Sequence, residues 1–298
     1  MDRVSALGFF DGVHRGHGAL LERAVLRARE LDASACAMTL NRQPGSLLTG
    51  RPAELICTLD ERRRLMREDY GLDEVIVARF DAAMRSTPWD VFLTRGLAEK
   101  LQARHVICGH NYRFGARGEG TPEKLKAWCA ANGVGCDVID EVCMDGAPVS
   151  STRIRACLTE GNTEQANRLL GHPYSLTGTV TNGQHLGRRL GIPTANFPMP
   201  EGLLVPARGV YAARVRVGDR WFDAVANLGT RPTVQGEGIL IESWLLDFSG
   251  DLYGQEIRVE FYTHLRPERK FPSVEAMKQE ILRNAEQTRE YFKIHSKI

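Results

Sequence analysis

The chain has 298 residues, 43% of them hydrophobic and 26% charged, with a formal net charge of +2. That length suits two ordinary domains, each able to bury its own core, and the balanced charge gives no general case for a nucleic-acid or membrane-surface partner. Seven cysteines, odd in number and without a C-x-x-C pair, speak against a disulfide frame or a zinc site; with no signal-like start and no apolar run of membrane length, they lead us to expect a soluble cytoplasmic protein.

In chain order, residues 4–10 (VSALGFF) read as a buried strand. Residues 17–32 read as a helix with Leu20, Leu21, Ala24, Val25, Ala28 and Leu31 on one face. Residues 33–40 form a second expected strand, and residues 58–71 a helix opened by the capping box Thr58/Glu61 and closed by Gly71. Strands follow at 74–80 and 105–109, with helices starting at Thr87-Pro88 and Thr121-Pro122. This alternation predicts right-handed crossovers and a parallel sheet. Beyond residue 172 the pattern becomes short alternating strands broken by glycine, at 174–181, 209–217, 221–229, 240–248 and 256–265. Such spacing predicts an antiparallel barrel or sandwich. A last helix, from Ser273 to about Phe292, would turn Val274, Met277, Ile281 and Ala285 inward. The expected organisation is an α/β domain over 1–172 and a β-rich domain over 173–298.

The stretch GFFDGVHRGH (8–17) ends the first strand and enters the first helix. In parallel α/β sheets, ligands bind beyond the carboxyl ends of the strands. Gly12 and Gly16 permit tight turns and close backbone approach. A helix N-terminus offers free N–H groups and a positive dipole end to phosphate, and His14 and His17 add donors for charge developing on a transferring phosphoryl group. A loop histidine beside a helix-capping histidine is the plain alternative; the glycines and the place in the topology favour the phosphate site. VSSTRIR (149–155) supplies three hydroxyls and two arginines at a helix start, a second anion cradle or a simple N-cap. GHNYRFGARGEGT (109–121) is a glycine-rich loop carrying Asn111, Arg113 and Arg117.

In the β-rich half, GRRLGIPTANFP (187–198) places the Thr194 hydroxyl and the Asn196 amide oxygen in one loop, both hard donors suited to Mg²⁺ or phosphate. Within LIESWLL, alternation groups Ile241, Ser243 and Leu245 on one face and Leu240, Glu242, Trp244 and Leu246 on the other. Glu242 is therefore either at an edge or deliberately placed. Partial loss of hydration would make it a better base.

GFFDGVHRGH and VSSTRIR resemble the H-x-G-H and S-S-T-x-x-R signatures of the adenylyltransferase superfamily, and GHNYRFG narrows the likeness to the FAD synthetase module of bacterial bifunctional riboflavin kinase/FAD synthetases. The β-rich half resembles riboflavin kinase through PTAN, VANLGTRPTV, IESWLLDFSGDLYGQEIRVEF and LRPERKF, in order. The resemblance implies a Rossmann-like nucleotidyltransferase domain followed by a six-stranded antiparallel barrel with a C-terminal helix. It implies catalytic roles for His14 and His17 on ATP phosphates and for Glu242 as a base. ATP or phosphate contacts would come from Asp11, Gly12, Asn111, Ser150, Ser151, Thr152, Arg153, Gly187 and Gly191. Thr194 and Asn196 would hold Mg²⁺. Riboflavin, FMN, FAD and ATP would be its small-molecule partners, without nucleic acid or membrane, and the resemblance leaves the oligomeric state open.

The chemistry agrees with the residue types. The phosphate of FMN, with a second pKa of about 6, is already an anionic nucleophile and needs no base. The ribityl hydroxyl is a neutral alcohol, for which a base is useful. One departure stands out: where the family has T-F-x-P-H-P, this chain reads MTLNRQPG (38–45), with Arg42 as a substitute phosphate contact or a drifted loop residue. A flavin-binding regulator without turnover is the rival from another class; retention of His14, His17, Thr194, Asn196 and Glu242 argues against it.

Overall fold

The computed structural model describes residues 2–45, 54–181, 191–233 and 236–295, and the chain divides into two compact units, Met1–Ser151 and Thr152–Ile298. The helical residues from Thr152 to Leu170 lie in the second unit.

The first unit is built on five parallel strands, β1 (Arg3–Leu7), β2 (Ser34–Leu40), β3 (Glu74–Ala78), β4 (Ala103–Gly109) and β5 (Gly135–Ile139), in the spatial order β3-β2-β1-β4-β5. Strand order reverses between β1 and β4, and a crevice opens outside the carboxyl ends of strands at such a switch point. The segments that follow β1 and β4 are GFFDGVHRGH and the loop carrying Asn111. The sheet is covered on both faces, so its central strands read as near-continuous apolar runs. Helix α1 (Arg15–Leu31) buries Leu20, Leu21, Ala24 and Ala28 against one face, while Leu93, Leu97 and Leu125 pack with Leu7 and Met38 on the other.

Helix α2 (Leu59–Arg64) starts as expected, with Thr58 Oγ accepting from Glu61 N at 3.1 Å. It then continues as a π-helical turn, Leu65–Asp69, instead of one regular helix to Gly71. Pro88 caps the helical segment 89–100 from outside, so Trp89 and not proline is its first residue. Thr121 and Pro122 open helix α3 (Pro122–Ala131) as predicted.

The second unit begins with helices α4 (Ser151–Thr159) and α5 (Thr163–Leu170). Its six antiparallel strands are β6 (Tyr174–Thr179), β7 (Ala195–Pro198), β8 (Gly209–Val217), β9 (Arg220–Thr233), β10 (Gly236–Leu245) and β11 (Glu256–Arg266), ordered β6-β11-β8-β9-β10-β7. Thr181 N donates to Asn196 O at 2.8 Å and draws the two edges together into a near-closed barrel. Closure of this kind removes exposed sheet edges.

Helix α5 docks on β11. Asn167 Nδ2 donates to Phe261 O at 2.8 Å, and its Oδ1 accepts from Tyr174 N at 2.8 Å. The C-terminal helix α6 (Val274–His295) buries Asn284, Ala285, Thr288 and Phe292. Val274, expected inside, is 55% exposed: the helix starts there, short of the apolar cluster that Ala285 joins.

Candidate active sites

Beyond β1 the chain turns sharply, with positive φ at Phe10 (59°), Gly12 (77°) and Val13 (41°). Gly12 meets two demands that a side chain would fail: the left-handed conformation, and the approach of Ile56, which a Cβ would meet at 3.0 Å. Gly12 N donates to Cys57 Sγ at 3.2 Å. Asp11 is buried, its Oδ1 accepting from Ile56 N at 2.9 Å and Cys57 N at 3.4 Å, while its carbonyl accepts from Ser151 Oγ at 3.2 Å. These bonds tie the loop to both neighbouring segments, so the Asp11 carboxylate serves backbone amides.

The loop delivers two imidazoles. His14 is the N-cap of α1, its Nδ1 accepting from His17 N at 3.3 Å. The two rings stack with centroids 3.6 Å apart, and the Phe10 ring meets His17 edge-on at 5.3 Å. Burial, then the neighbouring His14 and Arg62, hold His17 well below the usual imidazole range. Its Nδ1 is buried and has no hydrogen-bond partner among the described residues.

These histidines open onto a cavity of 1480 Å³ shared with Phe9, Asn111, Arg113, Ser150 and Ser151. That exceeds the roughly 300–1,000 Å³ of a single small-molecule site and suits two ligands side by side. Thr152 and Arg153 follow in the first turn of α4, on the second unit's side of the division. Leu40 and Pro44 line the cavity, whereas Arg42 is exposed and is not among its lining residues.

In the second unit the barrel's pairing aligns three polar side chains. Asn196 on β7 is opposite Glu242 on β10, and Glu242 is opposite Asn227 on β9. Directly paired residues share a face of the sheet. Ile241, Ser243 and Leu245 occupy the other face and are buried. Glu242, Asn227, Thr194 and Trp244 line a 250 Å³ pocket under α6, together with Arg266 and Glu268. Asn196 is 7% exposed, and its Oδ1 is a buried acceptor without a partner among the described residues. Gly191 sits in an exposed turn with φ 76°; Gly187 lies outside the described residues.

The pocket rim is braced from α6. Arg266 Nε donates to Asn284 Oδ1 at 3.1 Å, and Glu280 pairs with Arg266 at 3.5 Å and Arg269 at 2.8 Å. Both guanidinium groups face the Phe271 ring, at 5.4 and 5.0 Å. A Cβ on Gly229 would collide with the Glu268 carboxylate.

Three residues at these sites were not singled out from sequence. Asn227 carries the signal that marked Glu242, a polar residue in an alternating apolar strand. Glu268 lies within LRPERKF and is visible only once that segment folds over β9. Arg62 is spaced three and four residues from Leu65 and Met66, the apolar pair that the following π-helical turn buries.

A family model for FAD synthetase matches residues 1–153, and one for riboflavin kinase matches residues 170–292. A bifunctional riboflavin kinase/FMN adenylyltransferase of Listeria monocytogenes is 33% identical over 295 residues, covering 98% of this chain and 93% of the relative. One from Pseudomonas fluorescens is 37% identical over 276 residues, covering 92% and 88%. A crystal structure of a Streptococcus pneumoniae protein described as a macrolide-efflux protein matches with a TM-score of 0.86 at 30% identity, covering 97% of this chain and 94% of that one. Among the described residues here, no helix is long and apolar enough to cross a membrane.

Proposed function

The chain belongs to the bifunctional riboflavin kinase/FMN adenylyltransferase family, and we propose that His14 and His17 serve adenylyl transfer in the first unit while Glu242 serves phosphoryl transfer in the second. The observation that carries this division is the contrast between the two sites. The first offers stacked imidazoles and hydroxyls around a cavity sized for two ligands. The second sets a single carboxylate between two amides on adjacent strands.

In the second unit, the ribityl 5′-oxygen of riboflavin attacks the γ-phosphorus of ATP, its proton passes to Glu242, and ADP leaves with FMN as product. Asn196 and Asn227 flank the carboxylate on the adjacent strands. In the first unit, a phosphate oxygen of FMN attacks the α-phosphorus of ATP, the bond to the bridging oxygen breaks, and pyrophosphate leaves. His17 and His14 bear on the phosphates as charge moves to the leaving group. Ser150 and Ser151 add hydroxyls, and Asn111 faces the same cavity. Asp11 and Gly12 hold the loop that carries the histidines.

The Asn196 oxygen, orphaned and buried, and the Thr194 hydroxyl two residues before it suit a hard divalent ion. Thr194 and Asn196 would hold Mg²⁺, which neutralises phosphate charge when bound. All seven cysteines are free thiols, in keeping with work in the reducing cytoplasm, where ATP is at hand.

Incubation of the protein with riboflavin, ATP and Mg²⁺, followed by chromatographic separation of the flavins, tests the reading. FMN should appear first and FAD after it. Conversion of riboflavin without any FMN intermediate would exclude the sequential scheme.

A further inference from the structure

Arg62 is 1% exposed and lies under the wall of the first unit's cavity. Its Nη1 donates to Thr39 Oγ at 3.1 Å and to Leu40 O at 3.2 Å, and its guanidinium rests on the Phe9 ring at 4.2 Å. Thr39 Oγ in turn donates to Phe9 O at 2.8 Å. One side chain thus links the carboxyl ends of β1 and β2, and Phe9 and Leu40 are themselves cavity lining. Among the described residues Arg62 Nε has no hydrogen-bond partner, and no carboxylate reaches ion-pair distance of this guanidinium.

A buried cation with only neutral partners is costly, and proteins keep one where something compensates it. Within the fold the partners are a hydroxyl, a carbonyl, the Cys57 thiol and a ring, all one layer behind the site assigned to the ATP phosphates. A polyanion arriving there meets this charge through a low-dielectric wall, where electrostatic interactions are stronger than in water.

We infer that Arg62 is a positioning residue for adenylyl transfer: its fixed charge strengthens nucleotide binding from beneath, and its fork holds Phe9, Thr39 and Leu40 in the cavity wall. The inference rests on the assignment of ATP to the His14/His17 cavity. After burial and His14, Arg62 is also one of the groups that hold His17 low, so a triphosphate would relieve both at once.

The test is full-length Arg62→Met, which removes charge but keeps a long apolar stem, beside Arg62→Lys, which keeps charge and loses the fork. A thermal melt of each variant against the parent reports whether the first unit is folded, and riboflavin kinase activity, which resides in the other unit, reports active-protein concentration. In Arg62→Met the KM for ATP in FMN adenylylation should rise at least about tenfold, with a smaller change in kcat. Arg62→Lys should bring that KM back to within about threefold of the parent value. A folded Arg62→Met with an unchanged KM for ATP overturns the inference. If Arg62→Met fails to fold, Arg62→Lys decides: a rise of about tenfold in its KM overturns the charge role, and a near-parental KM supports it. His17→Ala runs in parallel. Full FAD formation by that variant would remove the cavity assignment itself, a different failure from an inert Arg62.

Discussion

His14 and His17 lie face to face, ring centroids 3.6 Å apart and planes 15° from parallel, and the Nδ1 of the first accepts the backbone N–H of the second. Burial first, then the neighbouring imidazole and Arg62, hold His17 well below the usual imidazole range and so keep it neutral. A triphosphate changes the balance, because it rewards the charged form. On the proposed assignment, the stack would work as a donor pair whose charge follows its ligand.

Replacing His17 with alanine should lower FAD formation by about a hundredfold or more, the usual cost of losing one donor aimed at developing charge. FMN should then accumulate from riboflavin. His14→Ala should cost adenylyl transfer as well, and about 1 kcal/mol of helix stability besides, because it deletes the N-cap. Flavin chromatography and a thermal melt separate the two effects.

Acidification should destabilise the first unit. His17 in the folded protein is held well below the ordinary imidazole value of 6.5, by burial first and then by His14 and Arg62. His105 is shifted the same way, burial outweighing the nearby Asp137. Below about pH 6.5 the unfolded chain binds protons that the folded chain refuses, so stability is complete above that pH and falls as pH drops towards the folded values. The melting temperature should decline between about pH 7 and about pH 5.5, and His17→Asn should flatten the slope. A melting temperature independent of pH in both proteins would contradict a neutral, buried His17.

Glu242→Gln is nearly isosteric and leaves the row from Asn196 to Asn227 in register. Riboflavin should go unphosphorylated, with a loss of about a hundredfold or more as for other general bases, while added FMN is still converted to FAD. Loss of both activities in a folded protein would point to one shared centre.

Both reactions should stop in excess EDTA and recover with Mg²⁺. Among the described residues no group of three or more His, Cys, Asp or Glu side chains is placed to hold a metal ion. On the proposed assignment the ion would be shared between the Thr194 and Asn196 oxygens and the phosphates, as is common for Mg²⁺. Unchanged turnover in chelator would rule this out.

A kinase fragment should begin at residue 152 rather than 173. Helix α5 buries Thr163, Ala166, Leu169 and Leu170 and bonds to Phe261 and Tyr174 through Asn167. Residues 152–298 should phosphorylate riboflavin and melt several degrees above residues 173–298, measured side by side.

Much of this was legible in advance, for reasons that differ by element. β1 to β4 are short apolar runs bounded by caps and turns, and the pattern identifies them. β5 (GCDVI) escaped notice because every one of its residues is only partly buried and its apolar signal is weak. β7 (ANFP) is four residues long and lies inside a motif that reads as a loop. Glu242 announced itself as a carboxylate in an apolar strand, and an amide such as Asn227 in the same setting is less conspicuous. Arg62 is the first arginine of ERRR (61–64), a run that looks like a solvated face. Only the tertiary fold shows which of those arginines turns inward.

The alignment of Asn196, Glu242 and Asn227 has a consequence for how this site tolerates change. Its address is written in strand pairing, where side chains alternate with a period of two. A single residue inserted into β10 ahead of Glu242 would carry the carboxylate into the barrel's interior and bring the apolar side chains out to the amides. A loop-borne site can drift in length and be retuned; this one is all or nothing. Insertions between strands should be readily accommodated, whereas those within β10 should abolish kinase function outright, however conservative the inserted residue.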